Sequence, residues 1–352
     1  MRVTVGLVVN PAAARDVRRL TSLARTVDVH ERVNTVARVL SGLAAGGVEE
    51  VLFMSEPCHV VERAWTSLAD THPSWGQMPS LRPIPSPGPA VDARGTAAAA
   101  AWLGEADTPC VVTVGGDGTN RAVALGWPDA TFAAFPGGTN NAFAPSVDAT
   151  VVGLAARLFA ADQARHASHA RVVPYLAVDV DGAHHTTALV DVAVVDEPWV
   201  GTHAVWDPRL LVEAVVTRTD PTVSGLAGVA GMVHPDGGRA LRLRFGPSGT
   251  EILAPLGPGH LAVVSVAGWE TFTTEEEVVV GGGRAALAFD CERETVLQAG
   301  QRARVRLVDE GPKVIDAAAL VRQAAADGVF PAAARARTVA RPQVERGRGR
   351  EA

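Results

Sequence analysis

Lysine is nearly missing from this chain. Of its 32 Lys and Arg residues only one, Lys313, is a lysine. A Walker A loop needs Lys beside Ser or Thr after its glycines, and no such tetrad occurs. Lysine-dependent protein-kinase or pyridoxal-phosphate chemistry would have to use Lys313, which follows Gly311-Pro312 near the end of the chain. Cysteine is also scarce. Cys58, Cys110 and Cys291 are far apart and odd in number, so they suggest neither a disulfide framework nor a metal site and fit a reducing compartment. No apolar run approaches the ~18 residues of a membrane span. The N-terminus passes straight into a strand pattern without the apolar core of a signal peptide. These absences predict a cytoplasmic protein that neither enters membranes nor binds nucleic acid.

What is present suits a large folded protein. The 352 residues are 47% hydrophobic and 20% charged, with 35 Gly and 23 Pro, enough for about two domains. The net charge of −6 is uneven. Residues 331–352 hold six Arg and two Glu, a balance of +4, which leaves −10 on the remainder. An acidic body is a poor partner for phosphodiester backbones. The Ala/Arg/Gly/Pro-rich tail reads as disordered.

The first part alternates strand and helix patterns. Val3–Val9, Val51–Met54, Cys110–Val114 and Thr131–Phe135 read as strands, and His30–Leu43 and Gly95–Leu103 as helices. Prolines 79, 83, 85, 87 and 89 mark an extended stretch between them. This alternation predicts a parallel sheet covered by helices. After about residue 164 the pattern becomes β-rich. Arg171–Asp179 and Thr186–Val195 flank the hairpin signal Asp181-Gly182. Further runs follow at Leu210–Thr217, Leu241–Phe245, Leu261–Val266, Val278–Val280, Ala285–Phe289 and Ala303–Val308, with a closing helix at Val314–Ala325. The expected organisation is an α/β domain over 1–145, a β-rich antiparallel sandwich over 146–312, a C-terminal helix packing back over 313–330, and the tail.

The chemistry concentrates in two loops. Gly115-Gly116-Asp117-Gly118-Thr119-Asn120 directly follows a strand, and Gly137-Gly138-Thr139-Asn140-Asn141 follows the next one. Glycines at the carboxyl ends of parallel strands let backbone N–H groups approach a phosphate. That edge of an open α/β sheet is where ligands bind. Helices starting at Arg121–Leu125 and from Ala142 would add their N-terminal dipoles. An aspartate within such a loop makes sense if it binds Mg²⁺ or takes a proton from an attacking hydroxyl.

The Gly-Gly-Asp-Gly-Thr loop, followed by the Gly-Thr-Asn loop, resembles the NAD kinase and diacylglycerol kinase superfamily. Gly6-Leu7-Val8-Val9-Asn10-Pro11, Arg15–Leu20, Val51–Met54, Gly118–Arg121, Gly138–Asn141 and Ala188–Val194 are similar to its acetoin-catabolism protein X branch. The likeness runs over roughly residues 3–325. It implies an NAD kinase-like fold: an α/β nucleotide-binding domain, then a β-sandwich, with the active site in the cleft between. It also implies ATP and Mg²⁺, a hydroxyl acceptor (in NAD kinases the 2′-OH of NAD), and a homo-oligomer, dimer or tetramer. Residue by residue, Asp117 becomes the general base. Asn10, Gly115, Gly116, Gly118, Thr119 and Asn120 cradle phosphate, and Gly138, Thr139, Asn140 and Asn141 form the second loop. Asp191, Asp290 and Glu292 are placed at the substrate.

Three departures weaken NAD recognition. The Asn-Glu pair of NAD kinases becomes Val190-Asp191. Their Asp-Gly-Glu turn becomes Asp290-Cys291-Glu292-Arg293, where Cys in place of Gly predicts a turn without positive φ. Their Thr-Pro-Thr-Gly-Ser-Thr stretch is replaced by Asp220-Pro221-Thr222-Val223-Ser224-Gly225-Leu226. A lipid or sphingoid acceptor, or a nucleotide sensor of low activity, are the competing readings. His184-His185 reads as hairpin, Trp199 and Trp206 as core or lid, and Glu275-Glu276-Glu277 as a solvated loop. Arg18-Arg19 sit on a helix close behind the first strand's loop, within possible reach of a phosphate.

Overall fold

The computed structural model describes residues 2–13, 18–24, 27–45, 47–71, 78–86, 90–182, 184–197, 204–235 and 240–330. Trp199, the tail 331–352, and the side chains of Arg18, Arg19 and His184 lie outside the described residues.

The first unit runs β1 (Thr4–Val9), α1 (Arg18–Thr21), α2 (Val29–Ala44), β2 (Glu50–Phe53), α3 (Val60–Thr71), β3 (Ser80–Pro83), α4 (Ala93–Glu105), β4 (Val111–Gly115), α5 (Asp117–Gly126), β5 (Thr131–Pro136), α6 (Ala149–Ala161), α7 (Gln163–His166) and β6 (Ala170–Val172). The second continues with β7 (Tyr175–Val180), β8 (His184–Ala188), β9 (Asp191–Val195), β10 (Leu211–Val216), α8 (Leu226–Val233), β11 (Leu241–Gly257), β12 (His260–Thr271), β13 (Glu277–Gly281), β14 (Ala285–Phe289), β15 (Glu292–Leu297) and β16 (Arg302–Val308). The chain then returns to the first unit as β17 (Lys313–Ile315) and α9 (Ala317–Ala326).

The first sheet has the order β3-β2-β1-β4-β5-β17-β6, parallel from β3 to β17 and antiparallel at β6. Its inner strands carry continuous apolar runs because helices cover both faces. From β1, Val5, Leu7 and Val9 enter one core with Val36, Leu40 and Leu43 of α2. Val8 enters the other, with Leu103 of α4 and Val123 of α5. The order reverses at β1/β4, since β2 and β3 extend one way and β5 the other. The carboxyl ends of that pair form the crevice where such sheets take ligands.

This sheet exceeds the boundary expected at residue 145. Helix α6 packs on α2, and β6 closes the far edge. The segment 313–330 is a strand as well as a helix, because Lys313 and Val314 pair with Thr131 and Phe132 of β5. Lys313 itself is exposed.

The second unit stacks a six-stranded antiparallel sheet, β12-β11-β10-β9-β14-β15, on a four-stranded one, β13-β16-β7-β8. Strand β9 is buried on both faces: Val192 and Val194 point to the four-stranded sheet, Ala193 and Val195 to α8. Asp181 and Gly182 both have positive φ (48° and 71°) in the β7–β8 turn, where Val180 pairs with His184. Four segments differ from the sequence reading. Arg171–Asp179 divides into β6 and β7, which lie in different sheets. Thr186–Val195 divides at Leu189-Val190, where the chain crosses between sheets. Gly246–Gly249 is an irregularity inside the long β11 and not its end. Helix α8 escaped notice because it is apolar all round and lacks an amphipathic stripe.

Candidate active site

Strand β4 delivers Gly115 and Gly116 to the switch point, and α5 begins at once, with Gly116 as N-cap and Asp117 in its first turn. The helix starts four residues before Arg121, so its dipole and the N–H groups of Asp117 and Gly118, which have no intrahelical partner, face the crevice. The second loop differs from expectation. No helix begins at Ala142, and the next is α6 at Ala149. Instead the N–H groups of Ala142 and Phe143 donate to the Asp117 carboxylate, at 2.9 Å (Oδ2) and 3.1 Å (Oδ1). Asn141 braces this loop through Gly138, its Oδ1 accepting from Gly138 N and its Nδ2 donating to Gly138 O, both at 2.9 Å.

The glycines serve loop against loop. A Cβ on Gly138 would lie 2.4 Å from Gly116 Cα, one on Gly137 2.9 Å from Gly115 N, and one on Gly115 2.4 Å from Thr119 Oγ1. Gly137 N donates to Gly115 O at 2.8 Å. Asn10, at the end of β1, donates from Nδ2 to Thr119 Oγ1 at 2.9 Å and ties the two sides of the switch point together. Asn120 is fully buried and accepts from Thr113 Oγ1 at 2.7 Å. It therefore anchors α5 to β4 and does not face the crevice. Asn140 turns toward the second unit, where its Oδ1 accepts from Ser224 Oγ at 3.2 Å.

The second unit closes the site through the β14–β15 turn. Asp290 and Cys291 both have positive φ, 50° and 63°. This corrects the expectation drawn from Cys291: the two residues between Phe289 and Glu292 form a type I′ turn, which has positive φ at both positions. Contacts to the turn offset the strain. Cys291 N donates to Asp191 Oδ1 at 3.0 Å, and Cys291 Sγ lies 3.4 Å from Asp191 Oδ2. Asp290 receives the N–H groups of Leu189 (3.1 Å), Val190 (2.7 Å) and Asp191 (3.2 Å), the point where the chain changes sheets. Asp191 is 1% exposed and turned under the hairpin, away from the cleft. Asp290 and Glu292 do reach the chamber around Asp117, which Gly116, Gly118, Thr119, Gly138, Thr139 and Asn140 also line.

Arg121 of α5 locks the two units. Its Nε donates to Thr187 O at 2.5 Å, Nη2 to Thr186 Oγ1 and Glu294 Oε2 at 2.9 Å, and Nη1 pairs with Glu294. The guanidinium stacks 4.8 Å over the Phe289 ring. This places the 290–291 turn beside Asp117.

Burial then sets the electrostatics. Asp117 is pushed up to about 7, mainly by loss of water and further by the Asp290 charge, against the pull of its two N–H donors and of Arg218. Asp191 also rises to about 7, through burial and Asp290. Burial raises Asp290 too, while Arg121 opposes the shift.

A carboxylate whose folded pKa is raised stabilises the fold below its unfolded value and loses that contribution as pH climbs to the folded value. For Asp191 the window is about pH 4 to 7, with on the order of 4 kcal/mol at stake. Asp191→Asn removes the charge and keeps an oxygen for Cys291 N. It is expected to raise the melting temperature by several degrees at pH 8 and to leave it unchanged at pH 4. Thermal melts across that range check this.

Among the described residues no group of three His, Cys, Asp or Glu side chains is placed to hold a metal ion. Both Asp117 oxygens already accept N–H groups. The described residues therefore supply no ready-made Mg²⁺ cage at Asp117. His185 faces Asp179 across the β7–β8 hairpin, at 3.4 Å, and is exposed. Trp206 is half-buried, and Glu275–Glu277 are exposed. Sequence reasoning missed Arg218 and Arg171, which belong to no motif, and the docking role of Arg121.

Comparison with known proteins bears on the family and the fold. Residues 88–172, which carry the first loop and α5, match the diacylglycerol kinase catalytic domain, and 174–310 match the Acetoin catabolism protein X C-terminal domain. The yeast NADH kinase complexed with NADH superposes with a TM-score of 0.50 at 13% identity, over 94% of this chain and 88% of that one. An NAD kinase from Archaeoglobus fulgidus in complex with ATP superposes less well, with a TM-score of 0.36 at 11% identity, over 78% and 96%. The class is a kinase-like fold related to NAD kinases and diacylglycerol kinases. Over 332 residues the chain is 32% identical to Acetoin catabolism protein X of Cupriavidus necator, covering 91% of this chain and 92% of that protein. It belongs to the acetoin catabolism protein X family. Among the described residues no helix is long and apolar enough to cross a membrane.

Proposed function

We propose that this chain is an ATP-dependent phosphotransferase acting on a hydroxyl group, with the ribose 2′-OH of NAD(H) as the first acceptor to test. The observation that carries the reading is Asp117. It sits buried at the contact of two interlocked glycine loops, with a pKa near 7, beside a helix N-terminus at a topological switch point.

Two of the cavities that border the glycine loops are assigned to the substrates, as donor and acceptor lobes. One, about 320 Å³, is lined by Asn10, Met54, Cys58, Thr96, Gly118 and Thr119. The donor triphosphate lies there, with its charge met by the N–H groups at the start of α5 and by the Mg²⁺ that accompanies it. The other, about 500 Å³, lies beyond Thr139 and Asn141 and takes the acceptor. Asp117 accepts the hydroxyl proton. A carboxylate has about four acceptor positions, so two N–H donors leave room for it. Held by those donors, its oxygens cannot swing away from the acceptor. The raised pKa makes it a stronger base than an ordinary aspartate and leaves roughly half of it ionised in neutral solution. The cytoplasm and a homo-oligomer are the setting this reading supposes.

Incubation of the full chain with γ-labelled ATP, Mg²⁺ and a panel of hydroxyl acceptors, NAD and NADH included, tests the reading by mass spectrometry. Label on an acceptor is expected, and chelation of Mg²⁺ abolishes it. Label on a different nucleoside or a lipid with NAD(H) unchanged keeps the phosphotransferase and removes NAD(H).

A further inference from the structure

The acceptor-side lobe contains a charge arrangement that phosphoryl transfer itself does not call for. Arg218, two residues beyond β10, and Arg171 of β6 both line it, together with Thr139, Asn141, Thr222 and Ser224. Arg218 donates from Nη1 to Ala142 O at 3.3 Å, while its Nη2 is buried with no hydrogen-bond partner. Neither arginine forms an ion pair among the described residues. Asp220, the carboxylate in the same lobe, is occupied by Thr222, accepting its N–H at 2.9 Å and its hydroxyl at 2.6 Å. Burial mainly disfavours the Arg218 charge and the nearby Arg171 charge adds to this, while the carboxylates of Asp117, Asp290 and Asp220 oppose it. Two guanidinium groups facing one cleft, one of them holding a buried, unused donor, match an oxyanion that enters with a ligand.

We propose that Arg218 and Arg171 form an anion subsite that holds a carboxylate or phosphate carried by the acceptor, so that the hydroxyl substrate is an anionic small molecule. Only the assignment of this lobe to the acceptor rests on the phosphotransfer reading. The anion site itself stands on the arginine geometry. The bound oxyanion satisfies Nη2, separates the two like charges, and sits across the second loop from Asp117, which sets how far the reacting hydroxyl lies from the anionic group. Arg218 recognises and positions, and takes no proton.

Calorimetry on the full chain tests this with a non-hydrolysable ATP analogue and Mg²⁺ at saturation, so that the donor lobe is filled. The probes are inorganic pyrophosphate in one arm and the hydroxycarboxylate glycolate in the other, which tells phosphate from carboxylate. Saturable binding of one probe is expected. Arg218→Gln should weaken it about tenfold or more, and Arg171→Gln several-fold. Arg218→Lys keeps the charge but loses the fork and should also weaken it. Should Arg218→Gln fail to fold, the exposed Arg171 decides. Binding of neither probe, or binding unchanged in Arg171→Gln and Arg218→Lys, overturns the inference. Probe binding that depends on the arginines without phosphorylation of any acceptor keeps the anion site and removes the phosphotransfer reading. Phosphotransfer at undiminished kcat/KM in both variants does the reverse.

Discussion

Asp117→Asn is expected to slow phosphoryl transfer by about 10²- to 10⁴-fold, the range for loss of a positioned general base. The effect should fall on kcat, because in the proposed mode the donor phosphates meet backbone N–H groups that the substitution leaves in place. The pH profile separates this role from a structural one. In the wild-type enzyme kcat climbs as Asp117 loses its proton, through about pH 7, since burial and the Asp290 charge raise its pKa to that value. In the variant that rise disappears. Stability should not account for the loss. At pH 8 the native protein holds Asp117 charged in a site that disfavours charge, and the amide relieves that cost. The amide can accept only one of the two N–H groups from Ala142 and Phe143, so some of the gain is lost. Melting temperatures at pH 5 and pH 8 check both effects.

Gly138→Ala carries the second large effect. Its Cβ would meet Gly116 Cα at 2.4 Å, and a backbone atom has no rotamer into which it can retreat. The loops must part, which strains the Gly137–Gly115 hydrogen bond and displaces the Ala142 and Phe143 donors that hold Asp117. Overpacking of this kind costs ~1–3 kcal/mol, and a shift of ~1 Å in a catalytic group costs about a hundredfold in rate. Gly118→Ala is the control. Its Cβ would approach only the Glu292 carboxyl, at 3.0 Å, and that side chain can move. Alanine also suits the first turn of α5 better than glycine, by up to ~1 kcal/mol. Gly118→Ala should fold at least as well as the parent, with a higher KM for ATP because the methyl group intrudes on the donor lobe. Denaturant unfolding and steady-state kinetics on the pair distinguish glycines that interlock the loops from the glycine that borders the nucleotide.

The parts of the site that could be read from sequence are those where one residue type has one use. Two glycine loops after successive strands, with an aspartate in the first, located the crevice, and Asn10 fell at the end of β1 beside it. The same loops meet at the switch point for a reason that the sequence shows only in part. Their glycines were read as room for a phosphate, yet most of the missing Cβ atoms make room for the opposite loop. Where misreading occurred, a long-range partner decided the outcome. Cys291 by its own preference avoids positive φ, but the type I′ turn between β14 and β15 imposes it, and Asp191, a hundred residues away, holds the turn. Ala142 was judged as a helix start, but its N–H is taken by Asp117, 25 residues earlier. The division of Thr186–Val195 has no sequence signal because both halves are β-rich; Asp290 and Thr217, both distant in sequence, hold the change of sheet at Leu189–Asp191. Arg218 had no local signal at all. It matters because β10 ends where the second glycine loop passes.

The most direct test compares wild type and Asp117→Asn for transfer of label from γ-labelled ATP to a hydroxyl acceptor in a single turnover, at pH 6 and pH 8. The account predicts a phosphorylated acceptor with wild type, formed faster at pH 8, and a loss with the variant of at least about a hundredfold at pH 8 that shrinks at pH 6, where the wild-type base is mostly protonated. Transfer by Asp117→Asn at the wild-type rate, or ATP bound with no acceptor phosphorylated, would contradict it.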